Sequence, residues 1–268
     1  MLKNRIFMGF KTSLNIFLFS ISITLISCKS TTQITESQKT FFQYNIWGAF
    51  VNKVFEGNMT IGELHQKGNI GLGSFDKLDG ELVMIDGVAY RVREDGSITV
   101  GQKNDTIIYA DATFFKPTDS FTLENIENYD ILRKELNKKI PTPNVFYAFK
   151  IYGEFENITL GGLHKQEPPF TKGLDVLIPA RPVFKGTNIK GTLIGFYCPA
   201  YIGNINTTGY HFHFLADNKS IGGHLMDLKF SASAKIELQA LQNYEFRLPE
   251  SKDFEKVQFD KQFQYNKK

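Results

Sequence analysis

The sequence predicts an α+β fold, a strand-rich single unit with two lobes. Three observations predict it. The chain of 268 residues carries 25 Phe, 11 Tyr and 22 Gly, a composition that favours strands joined by tight turns. Asp-Gly pairs at Asp79-Gly80, Asp86-Gly87 and Asp95-Gly96 punctuate short apolar segments, as expected of a meander with hairpin turns. The clearest helical periodicity lies at 124–139, where Ile126, Tyr129, Leu132 and Leu136 recur on one face and acidic residues precede basic ones.

Taken in order, 41–55 is apolar and aromatic and ends at the turn signal Glu56-Gly57-Asn58. A Gly-rich stretch, Gly68-Asn69-Ile70-Gly71-Leu72-Gly73, leads into strand-like segments at 81–85, 88–92 and 97–100. The helix at 124–139 stops before Thr142-Pro143. Residues 145–152 alternate as a half-buried strand. A Pro-rich crossing at 168–182 marks the expected division between lobes, and a second strand-rich half runs from 183 to about 248. No internal repeat is present.

Charge excludes one class of function. The formal net charge is +3, but residues 1–27 hold Lys3, Arg5 and Lys11 and no acidic residue. Without them 28 basic side chains face 28 acidic ones. A nucleic-acid binder needs a cationic surplus to displace counterions from phosphates, so none is expected as a partner.

Residues 1–27 read as an export signal: a basic start, a short apolar core at 14–26, and Leu25-Ile26-Ser27-Cys28 after it. Only 17 residues separate Lys11 from Lys29, short for a spanning helix of about 20 apolar residues. Leu-Ile-Ser-Cys resembles a bacterial lipobox, which implies cleavage before Cys28 and lipidation of its thiol. The expected product is an exported, membrane-anchored lipoprotein on the periplasmic or cell-surface side. Residues 28–40 then form a polar tether. Cys198 is the only other cysteine, so acylation of Cys28 leaves no disulfide framework.

Three of the five histidines fall close together, in Gly209-Tyr210-His211-Phe212-His213-Phe214 and Gly222-Gly223-His224. Residues two apart on a strand share a face, so His211 and His213 project together, opposite Phe212 and Phe214. Asp217-Asn218-Lys219-Ser220 is turn chemistry. A hairpin centred on Asn218 and Lys219 sets His213 directly across from His224, and all three imidazoles on one face. Three neutral imidazoles suit Zn, Fe or Ni and leave positions open for a substrate. His65 and His164 lie in loop-like sequence and read as surface residues.

Gly71-Leu72-Gly73-Ser74-Phe75-Asp76-Lys77-Leu78-Asp79-Gly80-Glu81-Leu82-Val83 resembles the N-terminal signature of acetolactate decarboxylases. Tyr147-Ala148-Phe149-Lys150-Ile151, Asn188-Ile189-Lys190-Gly191-Thr192-Leu193-Ile194-Gly195-Phe196 and the two histidine blocks resemble further family segments in the same order. The resemblance spans about 41 to 254, and residues 41–268 are read as the family's domain. It implies two lobes with a mixed sheet and a β-barrel-like half carrying the three-histidine site. It implies Zn2+ on His211, His213 and His224, a catalytic carboxylate at Glu81, substrate contacts at Ser74 and Leu78, and in many members a homodimer. The implied reaction is zinc-dependent decarboxylation of 2-acetolactate to acetoin through a metal-bound enediolate.

Two departures stand out. The family's substrate-binding Arg falls at Gly161 here, with Lys165, Arg181 and His164 as nearby candidates to replace it. A family Glu from the C-terminal tail, aligned on Asp253-Phe254, falls just past Lys268. An alternative reading is therefore a weakened or inactive zinc-binding lipoprotein of the same fold, binding a small hydroxy-keto acid or a partner. An unrelated three-histidine metalloenzyme, such as a cupin-type oxygenase, is a third.

Overall fold

The computed structural model of the chain describes Gly9 and residues 35–259. Apart from Gly9, the expected signal at 1–27 lies outside the described residues, as do Cys28 and most of the tether. The tether's end is ordered: Glu36–Lys39 forms a short 3-10 turn and Thr40 opens the first strand.

In chain order the strands are β1 (Thr40–Tyr44), β2 (Met59–Thr60), β3 (Ile70–Phe75), β4 (Glu81–Ile85), β5 (Val88–Val92), β6 (Ile98–Val100) and β7 (Thr106–Thr113). They continue as β8 (Asp119–Leu123), β9 (Phe146–Gly161), β10 (Val183–Cys198), β11 (Gly209–Ala216), β12 (Gly222–Lys229), β13 (Ala234–Leu241) and β14 (Asn243–Arg247). The first sheet runs β14-β1-β7-β3-β4-β5-β6, with β2 also on β7. It is mixed, because β14 pairs parallel with β1 while the remaining pairs are antiparallel.

The second sheet runs β10-β11-β12-β9-β13-β8, and β10 also pairs with β9. The circuit β9–β10–β11–β12–β9 therefore closes on itself, giving the barrel-like half. Phe149, Phe155, Phe212, Phe214 and Phe230 fill its core, with Phe155 edge-on to Phe214 at 5.3 Å between ring centroids.

Two details differ from the sequence reading. The helix is Tyr129–Lys139, five residues shorter at its start than 124–139. Asn128 caps it, its side-chain oxygen accepting from Ile131 N at 2.9 Å, and Ile126 is drawn into a bridge with Phe230 instead. Residues 168–182 do not separate the sheets. They connect β9 to β10, which pair along most of their length. The chain passes between sheets after β7 and again between β13 and β14.

One buried carboxyl gives a stability test. Asp111 on β7 is fully buried; its Oδ1 accepts from Asn206 Nδ2 at 2.9 Å and its Oδ2 has no partner. Burial pushes its pKa up to about 8, against the opposing hydrogen bonds of Asn206 and Tyr109. The folded state thus holds a proton that the unfolded chain releases near pH ~4. Stability from this group is full below that pH and is lost as pH rises toward 8, by at most about 1.4 kcal/mol per unit. Urea midpoints at pH 6.5 and 8 should show a smaller loss in Asp111→Asn than in wild type; an equal loss would show that Asp111 stays ionised in the folded state.

Candidate metal centre and active site

The histidines sit on the β11–β12 hairpin in the register expected from the turn. His213 pairs across from His224, Phe214 from Gly223 and Leu215 from Gly222. Phe212 and Phe214 turn into the barrel core, so His211 and His213 face outward, toward the first sheet. Gly223 has φ +129°, and a Cβ there would stand 2.7 Å from the Gly161 carbonyl oxygen. Only glycine permits that approach of β12 to β9 beside His224.

One ligand nitrogen from each of His211, His213 and His224 falls within 4.8 Å of the others. His211 Nε2 and His224 Nδ1 are 3.1 Å apart. His213 donates its Nδ1–H to the Leu82 carbonyl oxygen at 2.8 Å, which fixes its tautomer and leaves the Nε2 lone pair free. His211 Nδ1 is buried without a hydrogen-bond partner.

Burial holds the His213 pKa down at about 4. It drives His211 and His224 well below the ordinary histidine range, helped at His211 by His213, and at His224 by His211, His213 and Arg181. All three are neutral at pH 7, the state that binds a metal. Two zinc ligands at about 2.0–2.1 Å in tetrahedral arrangement stand roughly 3.3 Å apart, so the His211–His224 spacing and the neutral donor set fit such an ion.

The first sheet contributes the carboxyl. Glu81 opens β4, is buried, and places Oε2 3.7 Å from His213 Nε2. Burial raises its pKa to about 8, with Arg181 pulling the other way. Ser74 pairs directly across from Glu81 and is buried, with its hydroxyl 3.3 Å from the carbonyl oxygens of Phe75 and Gly80. Leu78 is fully buried in the loop before Glu81. Lys77 and Leu78 carry φ of +55° and +58° there. Two consecutive side chains in the left-handed region store strain, a cost found at sites that must hold an unusual geometry.

Residues 41–261 match the family profile of alpha-acetolactate decarboxylase. The chain belongs to that family. Its relatives include the alpha-acetolactate decarboxylases of Brevibacillus brevis, 34% identical over 80% of this chain and 74% of that protein, and of Bacillus subtilis strain 168, 32% identical over 82% and 85%. The crystal structure of the Bacillus subtilis strain 168 protein superposes with a TM-score of 0.80 at 31% identity, covering 83% of this chain and 94% of that one. Family membership removes the cupin-type reading.

Among the remaining family positions, Gly161 ends β9, paired with Val183 on one side and His224 on the other. Of the three candidates to replace an arginine there, His164 is exposed and turned to Glu94 at 2.8 Å and the Ala180 carbonyl. Lys165 is paired with Glu167 at 3.2 Å. Arg181 lies against Gly161 itself. The Leu82 carbonyl, which orients His213, had no signal in the sequence, because the contact crosses between the two sheets. His65 is exposed, as its loop-like sequence suggests.

Proposed function

We propose that the protein decarboxylates 2-acetolactate (2-hydroxy-2-methyl-3-oxobutanoate) to acetoin, with zinc held by His211, His213 and His224. The observation that carries this reading is the convergence of three neutral imidazoles on one face of a hairpin with a buried carboxyl from the opposite sheet, in a chain of the decarboxylase family.

Breaking the bond between C2 and the carboxylate releases CO2 and leaves its electron pair on C2, delocalised into the C3 ketone. A bound cation supplies Lewis acidity that stabilises this negative charge. The polypeptide supplies the proton. Burial favours the neutral acid at Glu81, so its carboxyl can donate to C2 to give acetoin, and recovers a proton from solvent. Ser74, paired across from Glu81 on the neighbouring strand, and the buried Leu78 are the family's substrate-contact positions in this reading. His213, anchored on Leu82, holds the hairpin at a fixed distance from Glu81.

The test is acetoin production from 2-acetolactate by the purified protein, after chelation and after zinc is restored. Turnover lost on chelation and regained with zinc is expected. Turnover no greater than that of free zinc would favour the alternative of an inactive zinc-binding lipoprotein.

The proposal extends to location. The lipobox-like run supports an exported protein anchored in a membrane through acylated Cys28. A single acyl chain anchors only marginally, and two or more hold firmly. Cys28→Ser should release the protein from the membrane fraction or block its processing; unchanged membrane association would argue against the anchor.

A further inference from the structure

Gly161 lies next to the metal-site face, and the space its missing side chain leaves is filled from elsewhere in the chain. Gly161 is directly paired with His224, and paired residues on adjacent strands project to the same face. A Cβ on Gly161 would stand 3.0 Å from both Cδ and Nε of Arg181 and 3.2 Å from its Cζ. The guanidinium end of Arg181 therefore rests on the Gly161 backbone, on the side of the sheet that carries His224.

Local structure fixes the base of this side chain. Arg181 follows the short helix Leu174–Leu177, donates its backbone N–H to the Ile178 carbonyl at 3.3 Å, and precedes Pro182. The Pro182 carbonyl accepts from Gly162 N at 3.0 Å, which ties the entrance of β10 to the end of β9. Arg181 is half-buried. Among the described residues no carboxylate lies within ion-pair distance of its guanidinium, although its charge is felt at both Glu81 and His224. A partly desolvated cation without a counter-ion, set beside the face that carries His224, is a site that calls for an anion.

We propose that Arg181 binds the substrate's carboxylate in this site, orienting the bond that breaks. The inference rests on the decarboxylase reading above, which names the substrate: a hydroxy-keto acid whose single carboxylate must stand out of the ketone plane for the electron pair to enter the π system. A planar guanidinium suits that task, because two parallel N–H bonds fix the plane of a carboxylate as well as its position. Glycine at 161 suits this arrangement, since a Cβ there would press on Arg181 at 3.0 Å and a long side chain would compete with it for the same space.

The test compares two probes that cannot lose CO2, on zinc-loaded protein, by calorimetry. 2,3-Dihydroxy-2-methylbutanoate keeps both oxygens and the carboxylate; 2,3-butanediol keeps only the oxygens. Wild type should bind the acid about 10-fold or more tighter than the diol, as expected of a charge-assisted pair. Arg181→Ala should erase that preference with zinc content unchanged, and Arg181→Lys should keep part of it. Adding Gly161→Arg to Arg181→Ala should restore it, since the space beside Gly161 is then open. In parallel, Arg181→Ala should lower kcat/KM for acetoin formation by about 10²-fold. A preference for the acid that survives in Arg181→Ala, or none in wild type, overturns the assignment. If wild type forms no acetoin yet loses its acid preference on Arg181→Ala, the decarboxylase reading fails while the carboxylate site stands.

Discussion

His213→Ala should leave the protein with almost no bound zinc and no acetoin formation above the rate of free zinc. Of the three histidines, His213 is the most deeply buried, at 1% exposure. It is also the one whose orientation is set by the opposite sheet, through the 2.8 Å hydrogen bond to Leu82. Loss of a partner that merely orients a ligand costs about 10–100-fold in metal affinity, so loss of the ligand itself should cost more. The variant also removes the hydrogen bond that links β11 to β4 at Leu82. Elemental analysis after dialysis checks the metal, and far-ultraviolet circular dichroism checks the fold. The Phe-filled barrel core lies on the other face of β11, so a folded, metal-free protein is expected. Stoichiometric zinc in folded His213→Ala would remove this site from the argument.

The parts of this site that could be read from the sequence are those set by strand periodicity and turn chemistry. Alternation alone put His211 and His213 on one face, and the turn at 217–220 fixed which residue faces His224. The Asp86-Gly87 pair likewise forms a tight turn, both residues at positive φ. Non-local pairing was not legible. Nothing local in 183–198 says that β10 pairs with both β9 and β11 and so closes a barrel. Nor does anything local say that β14 returns to lie parallel to β1. The helix start was misplaced because Ile126 fits a helical face as well as it fits the bridge to Phe230 that it makes; the cap at Asn128 decides between them. Glu81 came only from resemblance, since a single Glu between two turns looks like a solvent-facing strand residue. Its burial depends on β4 packing against β11, a contact between sheets. Arg181 was one of three candidates by proximity in sequence, and only the pairing of β9 with β10 brings its end of the loop onto Gly161.

Glu81→Gln should lower acetoin formation by about 10²-fold or more while zinc stays bound, as for loss of a positioned acid–base group. The two side chains have nearly the same size and shape. Burial favours the neutral carboxyl at Glu81, so the amide replaces an uncharged group with an uncharged group, and little change in folding stability is expected. What the amide cannot do is release a proton to a carbanion. Zinc should be retained because the three imidazole nitrogens converge without the carboxyl, which stands 3.7 Å from His213 Nε2. The two measurements separate the roles that a buried glutamate beside histidines can play. Zinc lost together with activity would make Glu81 a ligand. Zinc and activity both retained would make it a structural residue and leave the proton donor to be found elsewhere. Zinc retained with the rate reduced, and with calorimetric affinity for 2,3-dihydroxy-2-methylbutanoate close to wild type, assigns Glu81 to proton transfer, since the variant would still bind the carboxylate and the two oxygens but fail at the step that follows loss of CO2.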